Sequence, residues 1–239
     1  MKALLLAAGK GTRLRPLTAH TPKCLVEVGG RPLLDYWLCD LYAAGALEFL
    51  INTHHLAETV RSYVTQHALT PAITLVHEEK LLGTAGTLLA NSDFLKQGTT
   101  LVAHADNLCL CPWREFLAAH LSRPPETVMT MMTFRSSTPS ECGIIEIDRN
   151  NIVQGFHEKV ANPPGNLANA AVYLIEPELI EMIRRMKDAP NDLSTQVLPC
   201  LLGKIFTWEN RQTLIDIGTP ERLASAQEVA NNRNLKCKQ

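Results

Sequence analysis

No stretch of the 239 residues approaches the ~20 consecutive apolar side chains that a membrane helix needs, so a soluble protein is expected. An export signal is missing too. The apolar run from Met1 to Ala8 is too short for a secretory segment and leads into a basic, glycine-rich loop in place of a cleavage site. Charge of one sign is also absent. A formal net charge of −1 gives no global field to draw nucleic acid or a membrane surface, so any phosphate binding must be local. The seven cysteines (Cys24, Cys39, Cys109, Cys111, Cys142, Cys200 and Cys237) contain no C-x-x-C pair. That scatter argues against a zinc site or a disulfide framework and suits free thiols in a reducing, cytoplasmic setting. Cys109 and Cys111 flank one leucine, a spacing that strand alternation puts on one side. Internal repeats, low-complexity tracts and linkers are lacking as well.

What is present is a regular alternation. With 46% hydrophobic residues the chain can bury a substantial core, read as one domain with a smaller lobe built into it. Strands are predicted at Lys2 to Ala7, Glu48 to Asn52, Ile73 to His77 and Thr100 to His104, the last leading to Asp106. Between them fall helices at Pro32 to Ala44, with Gly45 as terminator, at Leu56 to His67, and from Thr84 to Leu89. After a helix at Trp113 to Leu121 the pattern turns to strands, at Thr127 to Phe134, Gly143 to Asp148, Ile152 to His157 and Ala168 to Ile175. Helices Pro177 to Met186 and Ser194 to Leu202, a strand Ile205 to Trp208 and a closing helix from Pro220 to about Asn231 complete the chain, ahead of a polar, frayed tail from Arg233. The fold class is α/β: a Rossmann-like, mixed, mainly parallel sheet flanked by helices, with antiparallel members and a small inserted lobe around Asn162 to Asn166.

The chemistry concentrates after strand one, in Ala7-Ala8-Gly9-Lys10-Gly11-Thr12-Arg13-Leu14-Arg15, followed by Thr21-Pro22-Lys23. Such a loop lies at the carboxyl end of its strand, where doubly wound sheets bind ligands. Gly9 and Gly11 let backbone N–H groups approach an anion, and Lys10, Arg13, Arg15 and Lys23 add cations. It is neither a dinucleotide fingerprint, because Leu14 stands at the third glycine, nor a Walker loop, because no G-K-[ST] closes it. A basic surface turn explains the glycines but not four cations with Thr-Pro-Lys close behind. No Ser-His-Asp or Cys-His arrangement is evident, and the histidines (His54-His55, His77, His104) lack metal-ligand spacing. Tyr36 and Trp37 suit core packing or a subunit contact.

Gly9-Lys10-Gly11-Thr12-Arg13-Leu14 with Pro22-Lys23 resembles the signature of the sugar-1-phosphate nucleotidyltransferase family, and further similar segments recur to near the C-terminus. The resemblance implies a Mg²⁺-dependent transfer of a nucleoside monophosphate from a nucleoside triphosphate to a sugar 1-phosphate, with release of pyrophosphate. It implies that Ala7, Ala8, Gly9, Gly11, Thr12 and Arg13 hold the triphosphate and that Lys23 stabilises charge where the substrates meet; Arg13 and Lys23 are the catalytic candidates. Glu78 with Leu82-Gly83-Thr84-Ala85-Gly86 resembles the base- and ribose-contacting segment, with Leu81 in place of the usual proline. Ala105-Asp106-Asn107 resembles the family's Gly-Asp element, and Asp216-Ile217-Gly218-Thr219-Pro220 its late aspartate turn, so Asp106 and Asp216 are the metal candidates and Asp106 also a nucleotide contact. Lys23, Asn107, Gly143, Glu158, Lys159 and Asn169 match sugar-phosphate positions, with Val160 replacing a common proline and Ala170-Ala171 standing where a glycine is often seen. Taken as plain residues, Asp106 is equally a turn former, Asp216 a cap for the helix at Pro220, and Glu158-Lys159 an exposed ion pair.

By the same resemblance residues 1–122 form the nucleotide-binding half of a single domain and 123–239 the sugar-phosphate half. Larger relatives carry a C-terminal β-helix of hexapeptide repeats, for which no room is expected here. Glu78 resembles its counterpart in mannose- and heptose-1-phosphate guanylyltransferases, and a carboxylate suits the N1–H and N2–H₂ edge of guanine. GTP with a manno-configured sugar is therefore favoured, and a uridylyltransferase acting on N-acetylmuramate 1-phosphate or another hexose 1-phosphate is the alternative. A non-catalytic sensor of nucleotide or sugar phosphate is the rival from another class. No nucleic-acid or membrane partner is expected, and a homodimer stays open.

Overall fold

The computed structural model describes residues 1–236, so Cys237 and the end of the polar tail lie outside the described residues. Strand β1 (Lys2–Leu6) is an apolar run that buries nearly every side chain. A tight hairpin of β2 (Glu27–Val28) and β3 (Arg31–Pro32) turns through Gly29 and Gly30, both at positive φ. Helix α1 (Leu33–Ala43) follows Pro32, which suits a helix start, and breaks before Gly45 at φ 100°. Then come β4 (Glu48–Thr53), α2 (Ala57–Thr65), β5 (Ile73–His77), α3 (Gly83–Ala90), the short α4 (Ser92–Leu95) and β6 (Thr100–His104). Strand β7 (Asn107–Cys109) precedes α5 (Trp113–Leu121) and strands β8 (Met129–Arg135), β9 (Gly143–Ile147), β10 (Val153–Glu158) and β11 (Leu167–Ile175). The chain ends with α6 (Pro177–Arg184), β12 (Ile205–Glu209), β13 (Leu214–Asp216) and α7 (Pro220–Lys236).

Two compact units emerge, each assembled from separate stretches of chain. One comprises Ala3–Leu81, His104–Leu110 and the chain from Gln212 on. Here β4 pairs in parallel with β5, Phe49 opposite Ile73 through Thr53 opposite His77, and β1 lies beside β4. Leu33, Leu34, Leu38 and Leu41 on α1 are fully buried, each contributing about 2 kcal/mol by removal from water. Tyr36 and Trp37 are buried in this core as well; the Tyr36 hydroxyl donates to the Val28 carbonyl at 2.8 Å and the Trp37 indole N–H to the Asn107 carbonyl at 2.9 Å. They are packing residues. A second layer joins Leu14, Val26, Leu108, Ile217 and Ala226, so the loop after β1, strand β7 and helix α7 share one core.

The other unit comprises Met1–Lys2, Leu82–Ala103 and Cys111–Arg211. Its strands run in the order β10-β9-β11-β6, all antiparallel, while β8 pairs antiparallel with β11 and parallel with β12. The expected mixed sheet flanked by helices is present, with antiparallel members in the second half of the chain. Among the described residues no helix is long and apolar enough to cross a membrane.

Several local expectations need correction. Ser194 to Leu202 is not a regular helix but a π-helical turn, Leu193–Val197, followed by a 3₁₀ turn, Leu198–Leu201; Pro199 has no N–H to continue an α-helical ladder. Cys109 and Cys111 do not share a strand face, because β7 ends at Cys109 and leaves Cys111 outside it. Helix α7 continues past Asn231 to Lys236.

Candidate active site

The loop after β1 is shaped by one glycine. Gly11 has φ +60°, a conformation that favours glycine, and an added Cβ would meet the Thr18 side chain at 3.0 Å. Thr18 fixes that turn by donating its hydroxyl proton to the Gly11 carbonyl at 2.6 Å. Residues 12–14 then form a 3₁₀ turn that buries Leu14 and leaves Thr12 and Arg13 outward. Gly9 and Lys10 are exposed, and nothing lies within 4 Å of where a Gly9 Cβ would stand. Ala7 and Ala8 are buried at the end of the strand.

Lys23 is only 7% exposed, and its ammonium is shared between two carboxylates, Asp106 Oδ2 at 2.8 Å and Asp216 Oδ1 at 2.7 Å. The pairing of β7 with β13 brings these aspartates together from distant parts of the chain. Asp216 stands opposite Asn107, the neighbour of Asp106, in that ribbon. The other Asp216 oxygen faces Arg13 Nη2 at 3.4 Å and Arg222 Nη1 at 3.9 Å. Burial pushes the Asp216 carboxyl up, but Lys23, with Arg13 and Arg222, outweighs it and holds the group below the usual carboxylate range. Asp216 is therefore no helix cap; Thr219 takes that role, its hydroxyl accepting from the Arg222 N–H at 3.3 Å. Gly218 makes room for the guanidinium, since a Cβ there would lie 2.7 Å from Arg13 Nη2. Next to Lys23, Cys24 is buried, and burial with the Asp106 charge behind it pushes its thiol up to about 12.

Glu78 is 4% exposed, just beyond β5, and its Oε1 accepts from Asn52 Nδ2 at 2.8 Å. Asn52, itself 3% exposed at the end of β4, accepts the Ala7 N–H at 2.8 Å through its Oδ1. Glu78 is thus tied to the strand that leads into the glycine loop.

The remaining expected residues belong to the other unit and are described within it. Gly143, at the start of β9, lies opposite Glu158 in the β10 pairing, and a Cβ there would meet Glu158 Oε2 at 2.6 Å and Phe156 at 2.8 Å. Glu158 pairs loosely with Lys159 at 3.4 Å, and Lys159 holds φ +50°, a strained value for a lysine. Asn169 donates to the Tyr173 hydroxyl at 2.8 Å and accepts the Ala171 N–H at 2.9 Å across a bulge in β11, where Ala171 has φ +53°. That left-handed turn explains why a glycine is at home there. Burial, reinforced by the charges of Glu158 and Asp192, raises the Tyr173 pKa, so the hydroxyl stays protonated. Gly83 has φ +74°, and a Cβ there would fall 2.2 Å from the Asn191 carbonyl oxygen; the Thr84 hydroxyl accepts the Leu193 N–H at 2.7 Å. Both hold the turn at 191–193.

The structure thus brings Arg13, Lys23, Asp106 and Asp216 into one cluster, with Asn107 alongside in the ribbon, and gathers Gly143 with Glu158, and Asn169 with Tyr173, elsewhere. Sequence reasoning missed Asn52, Thr18, Arg222 and the spacing role of Gly218. For Asn52 the available signal was a polar amide ending the apolar run Phe49-Leu50-Ile51. A third grouping, Asp35, Cys39 and His67, has ligand-type atoms within 4.8 Å of one another. His67 Nδ1 accepts from the Leu69 N–H at 3.0 Å, so Nε2 carries the proton that bonds Asp35 Oδ1 at 2.8 Å, and Arg31 holds the other oxygen. That is a hydrogen-bonded knot, not a chelate. Burial raises the Asp35 pKa, but Arg31 and His67 more than reverse it.

A family model described as nucleotidyl transferase matches residues 2–233. The mannose-1-phosphate guanyltransferase of Pichia angusta is 32% identical over 235 residues, covering 94% of this chain and 63% of that protein. The enzyme of the same name from Saccharomyces cerevisiae is 31% identical with the same coverage. The chain therefore spans 63% of the length of these relatives. Among solved structures, a protein of Bacillus anthracis provisionally designated a glucose-1-phosphate thymidylyltransferase, in complex with sucrose, superposes with a TM-score of 0.83 at 21% identity, covering 97% of this chain and 96% of that one. HddC from Yersinia pseudotuberculosis, complexed with GMP-PN, gives 0.79 at 21% identity over 95% and 98% of the two chains. These likenesses show a shared fold.

Proposed function

The chain belongs to the nucleotidyl transferase family, and from that premise we propose that it joins a sugar 1-phosphate to a nucleoside triphosphate, giving a nucleotide-sugar and pyrophosphate. The observation that carries the proposal is the buried Lys23 ammonium between Asp106 and Asp216, with Arg13 against the second carboxylate. The nucleophile is a phosphate oxygen of the sugar 1-phosphate, which is mostly dianionic at neutral pH, as a second pKa of ~6 implies. It attacks the α-phosphorus, and the bond to the bridging oxygen of pyrophosphate breaks. No general base is needed. The obstacle is repulsion between two polyanions, so catalysis is positioning and cationic screening. In this reading the N–H groups from Ala8 to Thr12 hold the triphosphate, Ala7 lying beside them with its own N–H committed to Asn52, and Gly83 and Thr84 are toward the ribose. Arg13 neutralises charge growing on pyrophosphate, and Lys23 steadies the α-phosphoryl group. Asn107, Gly143, Glu158, Lys159 and Asn169 hold the sugar phosphate.

Asp106 and Asp216 already direct hard carboxylate oxygens at one cation, the Lys23 ammonium, so their donor set suits Mg²⁺. When bound there, the ion would neutralise phosphate charge; Lys23 and Arg13 turn from their carboxylate partners toward the substrate. GTP with a manno-configured sugar 1-phosphate is the favoured pair. It is supported by the buried Glu78 carboxylate and by the names of the fungal relatives. The reaction belongs in the cytoplasm, which suits the scattered free thiols.

Pyrophosphate release, with GTP, UTP, dTTP and CTP competing over mannose 1-phosphate and other sugar phosphates, tests the proposal. GTP is expected to win. Release from no pair would make the chain a sensor, and UTP winning outright would remove guanine from the reading. Arg13→Ala is expected to lower kcat about 100-fold with a smaller rise in KM, because its charge matters most as the leaving group forms. Lys23→Ala should also impair use of the sugar phosphate. If both variants changed only the KM for triphosphate, the two cations would be binding anchors.

A further inference from the structure

The glycine loop is fastened at both ends to one short stretch of chain at the end of β4. Where the loop leaves β1, the Ala7 N–H donates to Asn52 Oδ1 at 2.8 Å. Where it ends, in the 3₁₀ turn at residues 17–19, His55 Nε2 lies 3.1 Å from the Thr18 carbonyl oxygen. A carbonyl only accepts, so Nε2 carries the proton. Thr18 is fully buried and passes this anchorage inward. Its hydroxyl donates to the Gly11 carbonyl at 2.6 Å, and its methyl carbon would stand 3.0 Å from a Cβ at Gly11. The same Gly11 carbonyl accepts the Leu14 N–H at 3.0 Å, which closes the turn that carries Arg13. Leu56, next to His55, has φ +53°, a costly backbone for a leucine. Strain of that kind persists where the surroundings over-determine a conformation. Here it falls at the bend from β4 into α2, beside the histidine that reaches the loop.

We propose that His55 is a positioning residue for the triphosphate: by holding the Thr18 carbonyl it fixes the far end of the loop, and through Thr18 the Gly11 turn, so that the loop N–H groups converge on phosphate. The proposal rests on the reading that this loop receives the triphosphate. Fastened by Asn52 alone, the loop would sample arrangements in which those N–H groups diverge, and the ligand would have to order them. Anchored at both ends it meets the ligand already ordered, which is a gain in affinity without any new contact.

The test compares wild type with His55→Phe, His55→Gln, Thr18→Val and Thr18→Ser. For each, titration calorimetry gives the Kd of inorganic tripolyphosphate, kinetics give the KM of the nucleoside triphosphate and of the sugar 1-phosphate, and a thermal scan gives the unfolding midpoint. His55→Phe and Thr18→Val each lose a hydrogen-bond donor. Both should weaken tripolyphosphate binding and raise the triphosphate KM about tenfold, with the sugar phosphate KM within about twofold of wild type. Glutamine can still donate an N–H to the Thr18 carbonyl and serine keeps the hydroxyl, so His55→Gln and Thr18→Ser should stay within about threefold of wild type. A wild-type Kd in His55→Phe, a Kd no better in His55→Gln than in His55→Phe, or a rise of both KM values in step with a lower unfolding midpoint would each reduce His55 to a packing residue. Tripolyphosphate binding is read without turnover. A chain that binds it but releases no pyrophosphate therefore loses the proposed reaction, while the Kd comparison still decides the role of His55; a wild-type chain that binds none overturns the loop reading and this proposal together.

Discussion

Replacing Asp216 or Asp106 with alanine is expected to reduce turnover by about 10³-fold while leaving the fold in place. Each removes one of the two carboxylates that meet at Lys23, yet the buried ammonium keeps the other, at 2.7 or 2.8 Å. An unpaired buried charge is avoided, so the loss should appear in kcat and in Mg²⁺ dependence, with an unchanged circular dichroism spectrum. The pH response follows from the depressed Asp216 carboxyl. A group lowered on folding contributes stability that is fully present above its unfolded pKa of about 3.9 and is lost as pH falls through its folded value. The stability gap between wild type and Asp216→Ala should accordingly narrow as pH drops from about 5 to about 3. Near-normal turnover that resists EDTA in either variant would end the metal assignment.

Gly83→Ala is expected to cost on the order of 3 kcal/mol, from left-handed strain and overpacking together. For a chain of this size that lowers the thermal midpoint by roughly 6–12 °C. The added methyl would stand 2.2 Å from the Asn191 carbonyl oxygen, and that carbonyl is already committed to the Ala85 N–H at 3.0 Å. The neighbour is backbone, so no side-chain rotation relieves the clash. Differential scanning calorimetry measures the shift, and a midpoint within about 1 °C of wild type would mean the turn at 191–193 yields easily. Gly86 is a useful control, because a Cβ there meets only the Leu82 side chain at 3.1 Å.

The contrast between these two sites shows what could be read in the residues. A long periodic run such as Leu33–Ala43 was legible because burial imposes a spacing on many side chains at once. The glycine loop was legible because its composition is unusual. The ribbon of β7 with β13 was not, since three-residue strands leave no period to detect, and it is this ribbon that unites Asp106 with Asp216. Without the family resemblance, nothing local separated Asp216 from a helix cap; the Thr219 hydroxyl, one turn of sequence later, takes that duty. Asn52 escaped notice for another reason. Its importance lies in two partners 45 and 26 positions away, which no spacing rule within a strand encodes. Ser194 to Leu202 misled because its apolar positions suit a helix, while Pro199 has no N–H with which to carry an α-helical ladder through the segment.

The burial of Cys24 beside Lys23 has a consequence for covalent labelling. With its thiol held near 12, almost none of it is thiolate at neutral pH, and maleimides or iodoacetamide attack the thiolate. Cys39 and Cys200 are exposed and meet such reagents from solvent. Alkylation of the folded protein therefore begins at such exposed thiols, and modification at position 24 becomes a clock for the opening of the core around the Lys23 ammonium.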